Sequence, residues 1–495
     1  METSPSLSNF AKITLSDGLL ARKYLRVHTR WFMSCLMAGA DLIGLTIAAM
    51  LAILLRHALG SGLTNPGFYV RLLPAVGLFL LVYALLKLYP GIGLTPVEEL
   101  RRLSIATTSV LLTLVAVTFW LQTSLNFSRL VLAIFWLLVL GFVPLNRWLV
   151  RRFALRLGLW GEPVALIGFG PNGRKILAFL RKNPQYGMNP VVVVNAIATR
   201  RGEEAPGDCP EIQTRTLVAH KDLLAQAGIR TAILVPPEIP RVLYEALLDE
   251  QQFGLRRLIL ISSLGWFGGS AVIPHDMQGI LGLEIERNLL NRGEQRLKRA
   301  LDWTLMILSV PLLAPVIALI AVLIKLDSPG PVFYRQKRIG HDGRALWVWK
   351  FRTMVVDAEQ ILQDCLACDE NLRTEWAANH KLKDDPRVTR IGRFLRKTSL
   401  DELPQLWNVL RGEMSLIGPR PIVEDEILHY AASYRLYKQV RPGLTGLWQV
   451  SGRSDTSYPY RVSLDEYYVR HWSIWMDIYI LACTLWVVLK RSGAY

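Results

Sequence analysis

The sequence has few cysteines, and none forms a recognisable pattern. The five cysteines are scattered and odd in number, so they do not describe a disulfide framework, and a reduced, cytosol-facing protein fits them. Cys365 and Cys368 have CxxC spacing, but no second pair or histidine cluster accompanies them, and we interpret them as part of an ordinary helix. The first thirty residues lack the apolar core and cleavage site of a signal peptide, so we expect none to be removed.

Acidic residues are outnumbered by basic ones. The chain has 57 lysines and arginines against 40 aspartates and glutamates, a net charge of +17. No motif of a nucleic-acid-binding fold accompanies this charge, so nucleic acid is not expected as a partner. The cations lie between apolar runs, which suits anionic lipid headgroups and phosphorylated substrates. A mean hydropathy of +0.27 predicts a membrane-embedded part together with folded domains.

Four apolar runs open the chain, each near the length that a helix needs to cross a membrane. They predict four transmembrane helices within residues 31–150, after a cytosolic segment 1–30; the runs are 31–55, 72–88, 103–121 and 130–145. Basic residues crowd the segments that precede, divide and follow these runs, so both ends of the bundle are expected to face the cytosol. For Asp41, inside the first run, we favour a helix-packing role over a functional one.

Residues 160–265 alternate between short strands and helices, which predicts a doubly wound, Rossmann-like α/β domain. Its first turn is a possible nucleotide turn, because three glycines have GxGxxG spacing: Gly168, Gly170 and Gly173. Asn195 stands where a ribose-binding acid is expected, so a structural glycine turn is favoured over dinucleotide binding. Residues 266–296 are predicted to be a linker.

A fifth apolar run, residues 301–324, is predicted not to cross the membrane. Pro311 and Pro315 interrupt it. Basic clusters stand on both sides of it: Arg296, Lys298 and Arg299 before, and Arg335, Lys337 and Arg338 after. A helix whose two ends are both drawn to the cytosol must turn back, and its freed backbone groups need a partner such as Ser309. The run therefore predicts a re-entrant helix at the start of an α/β catalytic domain, residues 297–495.

The sharpest polar motif is residues 398–404, in which Asp401 and Glu402 follow a run of basic residues that includes Arg396. In phosphoryl transfer, one carboxylate can attack phosphorus while its neighbour holds a Mg²⁺ ion. The same segment also has the pattern of a capping box, in which Ser399 caps a helix and Glu402 bonds back to the cap without any chemistry. This motif alone does not decide between the two interpretations.

Neighbouring motifs favour phosphate chemistry. Arg420 lies on a proline-bounded turn, and its guanidinium can grip a phosphate through two parallel hydrogen bonds. Lys350 lies on a predicted strand, and Arg453 follows glycine turns. Each cation alone is typical of a solvated basic loop, but together they suit two phosphorylated substrates and one metal ion.

With these motifs, the segment from Lys298 to the C-terminus resembles the monotopic phosphoglycosyl transferase family of bacterial sugar transferases. The motifs that carry the resemblance are residues 328–331, 350–354, 384–387, 398–404, 408–410, 414–421 and 446–453. The four N-terminal spans, the α/β domain and the ending at residues 491–495 are similar to those of family members that transfer galactose-1-phosphate. The likeness covers essentially the whole chain.

The resemblance implies transfer of galactose-1-phosphate from UDP-galactose to undecaprenyl phosphate, with release of UMP, in O-antigen, capsule or exopolysaccharide synthesis. Asp401 matches the family's nucleophile, which forms a covalent phosphosugar intermediate, and Glu402 matches its Mg²⁺ ligand. The implied substrate contacts are Lys350, Arg396, Arg420 and Arg453, with Asp465 at a further acidic position of the family.

The resemblance also implies a place in the cell. Lys298 and Arg299 are expected at the level of the lipid headgroups, where they anchor a helix that Pro311 and Pro315 bend. The catalytic domain is then expected on the cytosolic face of the bacterial inner membrane, with membrane lipids as partners and a homodimer as the assembly.

Three alternatives remain open. UDP-glucose differs from UDP-galactose in the orientation of one hydroxyl group, which a few pocket contacts decide. A membrane nucleotide-sugar dehydratase would share the N-terminal half, and Tyr434 and Lys438 have the YxxxK spacing of short-chain dehydrogenases, although the C-terminal half lacks a glycine-rich cofactor turn. A non-catalytic assembly scaffold gives no reason to retain Asp401, Glu402 and Arg420 together.

Overall fold

The computed structural model divides into two compact units, Met1–Trp266 and Phe267–Tyr495. The residues that it describes are 30–59, 73–120, 128–195, 211–213, 217, 224, 228–235, 255, 257–261, 272–277, 280–285, 292–368, 370, 373, 385–452 and 457–490. Arg453, the segment 1–29 and the ending 491–495 lie outside the described residues.

Apolar helices begin the first unit, as the hydropathy predicts. They are α1 (Arg30–Ala58), α2 (Leu73–Leu85), α3 (Pro96–Trp120) and α4 (Arg129–Arg156). Helices α1, α3 and α4 are long and apolar enough to cross a membrane, whereas α2 is a shorter apolar helix over its described length. The prediction of four N-terminal apolar helices is confirmed.

A buried charge network ties α1, α3 and α4 together. The Arg147 guanidinium donates to Asp41 Oδ1 at 2.7 Å and to Glu99 Oε1 at 3.0 Å. Tyr89 Oη donates to Asp41 Oδ2 at 2.6 Å, and Arg151 donates to both oxygens of Glu99. Charges this deep persist only when they are paired and hydrogen-bonded. Asp41 therefore has the helix-packing role that the sequence favoured.

The α/β part of the first unit is a parallel sheet of five strands. The strands are β1 (Glu162–Ile167), β2 (Met188–Asn195), β3 (Glu211–Gln213), β4 (Thr231–Leu234) and β5 (Arg257–Leu260), and their order is β3-β2-β1-β4-β5. This is the order of doubly wound sheets. Gly168, with φ +98, turns the chain out of β1, Gly170 caps α5 (Pro171–Lys182) and Gly173 is buried in it.

The second unit begins with a hairpin inside the predicted linker, β6 (Val272–Met277) and β7 (Ile280–Ile285), which the sequence pattern did not predict. The long helix α6 (Arg292–Asp327) and a second antiparallel hairpin follow, β8 (Phe333–Ile339) and β9 (Ala345–Phe351). The remaining elements are α7 (Ala358–Cys368), α8 (Arg390–Thr398), α9 (Leu406–Arg411), β10 (Ser415–Ile417), α10 (Ile427–Tyr430), α11 (Tyr434–Tyr437), β11 (Gly443–Thr445), α12 (Leu447–Val450), α13 (Tyr458–His471) and α14 (Ile474–Lys490).

The N-terminal end of α6 is fixed to the second unit by polar contacts. Lys298 Nζ donates to Asp477 Oδ2 at 2.6 Å, and Asp302 Oδ2 accepts from Ser415 Oγ at 2.7 Å. Arg299 donates to the carbonyl oxygen of Val409 at 2.9 Å. The sequence led us to expect Lys298 at the lipid headgroups. In the structure Lys298 is instead buried and forms an ion pair with Asp477 within the protein. Anchoring to lipid by either cation stays a prediction.

The C-terminal end of α6 contacts the same unit. Asp327 Oδ2 accepts from the backbone N–H of Ile391 at 3.0 Å, and Ile324 packs in an apolar cluster with Phe351 and Leu395. Between the two ends the helix contains Pro311 and Pro315. Pro311 and Pro315 have no N–H to donate to the carbonyl oxygens of residues 307 and 311. Ser309 Oγ donates to the carbonyl oxygen of Met306 instead, so it does not bond to either of them. By length and composition alone, α6 could also cross a membrane.

Candidate active site

One face of the β8–β9 hairpin supplies two cations to the site. In the antiparallel register Tyr334 lies opposite Lys350 and Arg338 lies opposite Leu346. Because side chains alternate between the two faces of a strand, Lys350 and Arg338 share a face with Val348. Arg335, on the other face, stacks on Trp349 at 5.0 Å.

The two carboxylates lie on a short 3₁₀ helix, Leu400–Gln405, that follows α8. Ser399 ends α8 in the left-handed conformation, with φ +56, and its side chain makes no capping hydrogen bond. The capping-box interpretation of Ser399 and Glu402 is therefore wrong: the abrupt turn after α8 directs the Glu402 carboxylate towards β9.

Cations surround Glu402. Lys350 Nζ donates to Glu402 Oε1 at 2.8 Å, and Arg420 Nη2 lies 3.9 Å from the same oxygen. Burial alone would raise the pKa of Glu402. The nearby cations, with Lys350 and Arg420 foremost, outweigh burial and hold this pKa below its usual range. Glu402 is thus an ionised carboxylate at neutral pH.

Asp401 has the opposite surroundings. Burial, and then the negative charge of Glu402, raise the pKa of Asp401 to about 6, while Lys350 and Arg396 act in the other direction. Arg396 is held in place by donating to Thr353 Oγ1 at 2.9 Å, and its charge also interacts with Asp385. Two adjacent carboxyl groups with separated pKa values are suited to different roles.

Glu402 lines an open cleft whose empty space, including solvent at its mouth, is about 270 Å³. Its lining combines three cations with two amide side chains and apolar groups: Arg338, Val348, Lys350, Glu402, Gln405, Arg420, Pro421, Gly443, Leu444 and Gln449. The Gln449 Oε1 atom is buried and accepts no hydrogen bond from any of the described residues. Such a cleft is suited to a ligand with several negative charges and at least one hydroxyl or N–H donor.

Comparison with known proteins shows which family this chain belongs to. A family profile described as bacterial sugar transferase matches residues 293–491, and one described as CoA-binding domain matches residues 89–216. The chain is 37% identical over 380 residues to the UDP-galactose-lipid carrier transferase of Erwinia amylovora, covering 74% of this chain and 76% of that protein. The chain belongs to the bacterial sugar transferase family.

Other relatives of this sugar transferase differ in how much of it they match. The undecaprenyl-phosphate galactose phosphotransferase of Salmonella typhimurium is 36% identical over 395 residues, 78% of this chain and 79% of that protein. The UDP-glucose:undecaprenyl-phosphate glucose-1-phosphate transferase of Escherichia coli is 38% identical over 228 residues, 44% of this chain and 46% of that protein. The dehydratase and scaffold alternatives find no support in this family.

The structure brings most of the predicted site residues together. Lys350, Glu402 and Arg420 line the cleft. Asp401 interacts electrostatically with two of these lining residues, Lys350 and Glu402, and Arg396 interacts with Asp401. Arg453 lies outside the described residues.

Asp465 does not line the cleft. It is buried and accepts a hydrogen bond from Tyr430 Oη at 2.7 Å, and burial raises its pKa to about 8. A substrate contact by Asp465 stays a prediction, and the structure gives this residue a place in the core.

Sequence reasoning missed Arg338 as a site residue of this sugar transferase. Arg338 was assigned to the basic cluster after the apolar run, together with Arg335 and Lys337. The signal that distinguishes it is strand parity: Arg335 and Lys337 lie on one face of β8, and Arg338 lies on the other. Parity with Lys350 could be used only once the hairpin register was known.

Among the described residues, no cluster of three or more His, Cys, Asp or Glu side chains could hold a metal ion. Mg²⁺ does not require such a cluster, because it is commonly bound by one or two carboxylates together with phosphate oxygens of the substrate. The adjacent carboxyl groups of Asp401 and Glu402, of which Glu402 is ionised, fit that second kind of site.

Proposed function

We propose that this sugar transferase moves galactose-1-phosphate from UDP-galactose to undecaprenyl phosphate, giving undecaprenyl diphospho-galactose and UMP. The observation that carries the proposal is the carboxylate pair Asp401–Glu402 beside a cleft with three cations. The names of two relatives that match most of the chain support the substrates.

The reaction proceeds in two displacements at one phosphorus atom. The Asp401 carboxylate attacks the β-phosphorus of the donor, the bond from that phosphorus to the bridging oxygen breaks, and UMP leaves with the electron pair. An oxygen of the lipid phosphate then attacks the acyl phosphate, and Asp401 leaves as a free carboxylate. Lys350, Arg396 and Arg420 hold the phosphate charges during both steps.

Glu402 would hold the Mg²⁺ ion, which supplies neutralisation of the diphosphate charge when it is bound. Lys350 has a separate role, since its hydrogen bond fixes the Glu402 carboxylate and its charge keeps both carboxyl groups more ionised than burial alone would allow.

The catalytic domain lies on the cytosolic face of the inner membrane, and α6 enters and leaves the membrane on that side. Three features support re-entry: the basic clusters at both ends of α6, the two prolines within it, and the contacts of both ends with the same unit. Nucleotide sugars are cytosolic substrates, which agrees with this placement. A homodimer stays a prediction.

UDP-glucose is the second candidate donor, because the Escherichia coli relative named for glucose-1-phosphate transfer is 38% identical over 44% of the chain. UMP release is measured from UDP-galactose and from UDP-glucose, each with Mg²⁺ and undecaprenyl phosphate. The account predicts release from UDP-galactose. Release from UDP-glucose alone would replace the sugar and keep the mechanism, and no release from either donor would contradict the proposed function.

A further inference from the structure

Among the described residues, no carboxylate lies within hydrogen-bond distance of the Arg338 guanidinium. The side chain is mostly buried, with 16% exposed, and the nearest carboxylate oxygen, Glu426 Oε2, lies 3.9 Å from Nη1. That oxygen already accepts from the backbone N–H of Val423 at 2.9 Å. The other contact of the guanidinium is neutral, from Nη2 to Gln336 Oε1 at 3.0 Å. A mostly buried guanidinium whose counter-charges, Glu426 and Glu402, both lie beyond hydrogen-bond distance is costly without an anionic ligand.

The cleft as a whole has the same excess of positive charge. Arg338, Lys350 and Arg420 face one carboxylate, Glu402, and only Lys350 is within hydrogen-bond distance of it. The charge of Arg420 acts on Arg338, and burial and this like charge both lower the pKa of Arg338. Cations preorganised in this way stabilise a ligand that brings several negative charges.

The backbone holds Arg338 and Arg420 next to each other. Ile339 N–H donates to the carbonyl oxygen of Ile422 at 2.8 Å. Tyr437 Oη donates to the carbonyl oxygen of Ile339 at 2.9 Å and accepts from the N–H of Ile422. Ile339 adjoins Arg338, and Ile422 follows Arg420 by two residues, so this double bridge holds together the backbone segments that carry the two guanidinium groups.

Charge interactions give the order of groups along the site. Asp401 interacts with Lys350 and Arg396, whereas Arg338 interacts with Glu402 and Arg420. Along the hairpin, the pair that contains Arg338 is four residue pairs from the pair that contains Lys350, on the same face. Arg338 is therefore at the end of the cation row away from the Asp401 carboxylate.

We propose that Arg338 binds the substrate phosphate that faces away from Asp401: the α-phosphate of the donor first, and the phosphate of the lipid acceptor afterwards. In phosphoryl transfer the attacking and leaving oxygens lie roughly in line through phosphorus. With Asp401 on one side of that atom, both UMP and the acceptor phosphate occupy the opposite side. This inference rests on the proposed function and adds a shared subsite to it.

The test is UMP binding to the full-length protein by titration calorimetry, with Arg338→Gln compared with Arg335→Gln. Arg335 is the matched control because it is on the same strand, loses the same charge and faces away from the cleft. The proposal predicts roughly 10- to 100-fold weaker UMP binding in Arg338→Gln, the loss expected for charge-assisted hydrogen bonds to phosphate, and little change in Arg335→Gln. A melting temperature measured for each variant separates this loss from unfolding, and Arg338→Lys, which keeps the charge without the planar fork, should bind with intermediate affinity.

Unchanged UMP binding in folded Arg338→Gln would overturn the proposal. The KM for undecaprenyl phosphate should rise in the same variant, and an unchanged lipid KM beside weakened UMP binding would overturn the shared subsite. The proposed function fails by a different result, namely no UMP release by the parent protein from either UDP-sugar.

Discussion

Two adjacent residues of the same chemistry have opposite surroundings in this protein. Glu402 accepts a hydrogen bond from Lys350 and has Arg420 nearby, so its charged form is favoured. Asp401 is partly buried and lies next to the negative charge of Glu402, and burial and this charge raise its pKa to about 6. A nucleophilic carboxylate with a raised pKa is more basic than an ordinary one, and at neutral pH it is still largely ionised.

This difference predicts the pH dependence of the first half-reaction. UMP release in a single turnover should increase as the pH rises through about 6, because attack requires the ionised form of Asp401. In Lys350→Met the midpoint should move to higher pH, since the lysine lowers the pKa of Asp401. Lys397→Met is the control, because Lys397 is an exposed cation of α8. A rate that is independent of pH between 5 and 8 would contradict this assignment.

Single residues also show how far the sequence alone could reach. Lys350, Glu402 and Arg420 could be predicted because each lies in a motif with its own chemical signature. Arg338 and Gln449 could not, because their place in the cleft depends on the hairpin register and on the packing of α12. Asp465 was predicted as a substrate contact from the family resemblance, whereas its burial beside Tyr430 became visible only in three dimensions.

At the scale of elements, α6 shows what hydropathy does and does not predict. The apolar run was placed at residues 301–324, and the helix extends from Arg292 to Asp327. Its first turns are polar, and they fold because Asp477 and Ser415, far along the chain, pair with Lys298 and Asp302. Long-range partners of this kind leave no local pattern in the sequence.

The pair Lys298–Asp477 gives a stability prediction. Asp477→Asn leaves a buried ammonium group without its counter-charge, which should lower the free energy of unfolding by about 3–5 kcal/mol. Thermal unfolding in detergent measures the effect. Glu424→Gln is the control, because it removes an exposed ion pair with Lys337, which is 2.8 Å long, and should leave the melting temperature unchanged. An equal, small effect of the two substitutions would contradict the anchoring role of Asp477.

At the scale of the whole molecule, we propose that charges at the ends of the helices set the orientation in the membrane. The four N-terminal helices and the parallel sheet were predictable because their periodicities and lengths are strong local signals. The β6–β7 hairpin was not, because its segment lacks a clear alternation of apolar and polar residues. The first unit contains the N-terminal apolar helices, and the second unit contains the cleft beside Glu402.

Labelling of single cysteines tests re-entry of α6. In a background without the native cysteines, Arg296→Cys and Arg344→Cys stand before and after α6. In spheroplasts a membrane-impermeant maleimide should label neither position until the membrane is permeabilised, because the proposed re-entry places both ends of α6 in the cytosol. Ser124→Cys, between α3 and α4, is the control that should be labelled from outside. Labelling of Arg344→Cys in intact spheroplasts would show that α6 crosses the membrane.

The covalent intermediate is the central claim, and intact-protein mass spectrometry tests it most directly. The protein is mixed with UDP-galactose and Mg²⁺ without a lipid acceptor, and peptides are then mapped. The account predicts the added mass of one hexose phosphate on the peptide that contains Asp401, and loss of this mass when undecaprenyl phosphate is added. The added mass should be absent in Asp401→Asn, and the turnover of this variant should fall by roughly a thousandfold or more. Rapid turnover by Asp401→Asn, or a phosphosugar attached to another residue, would contradict it.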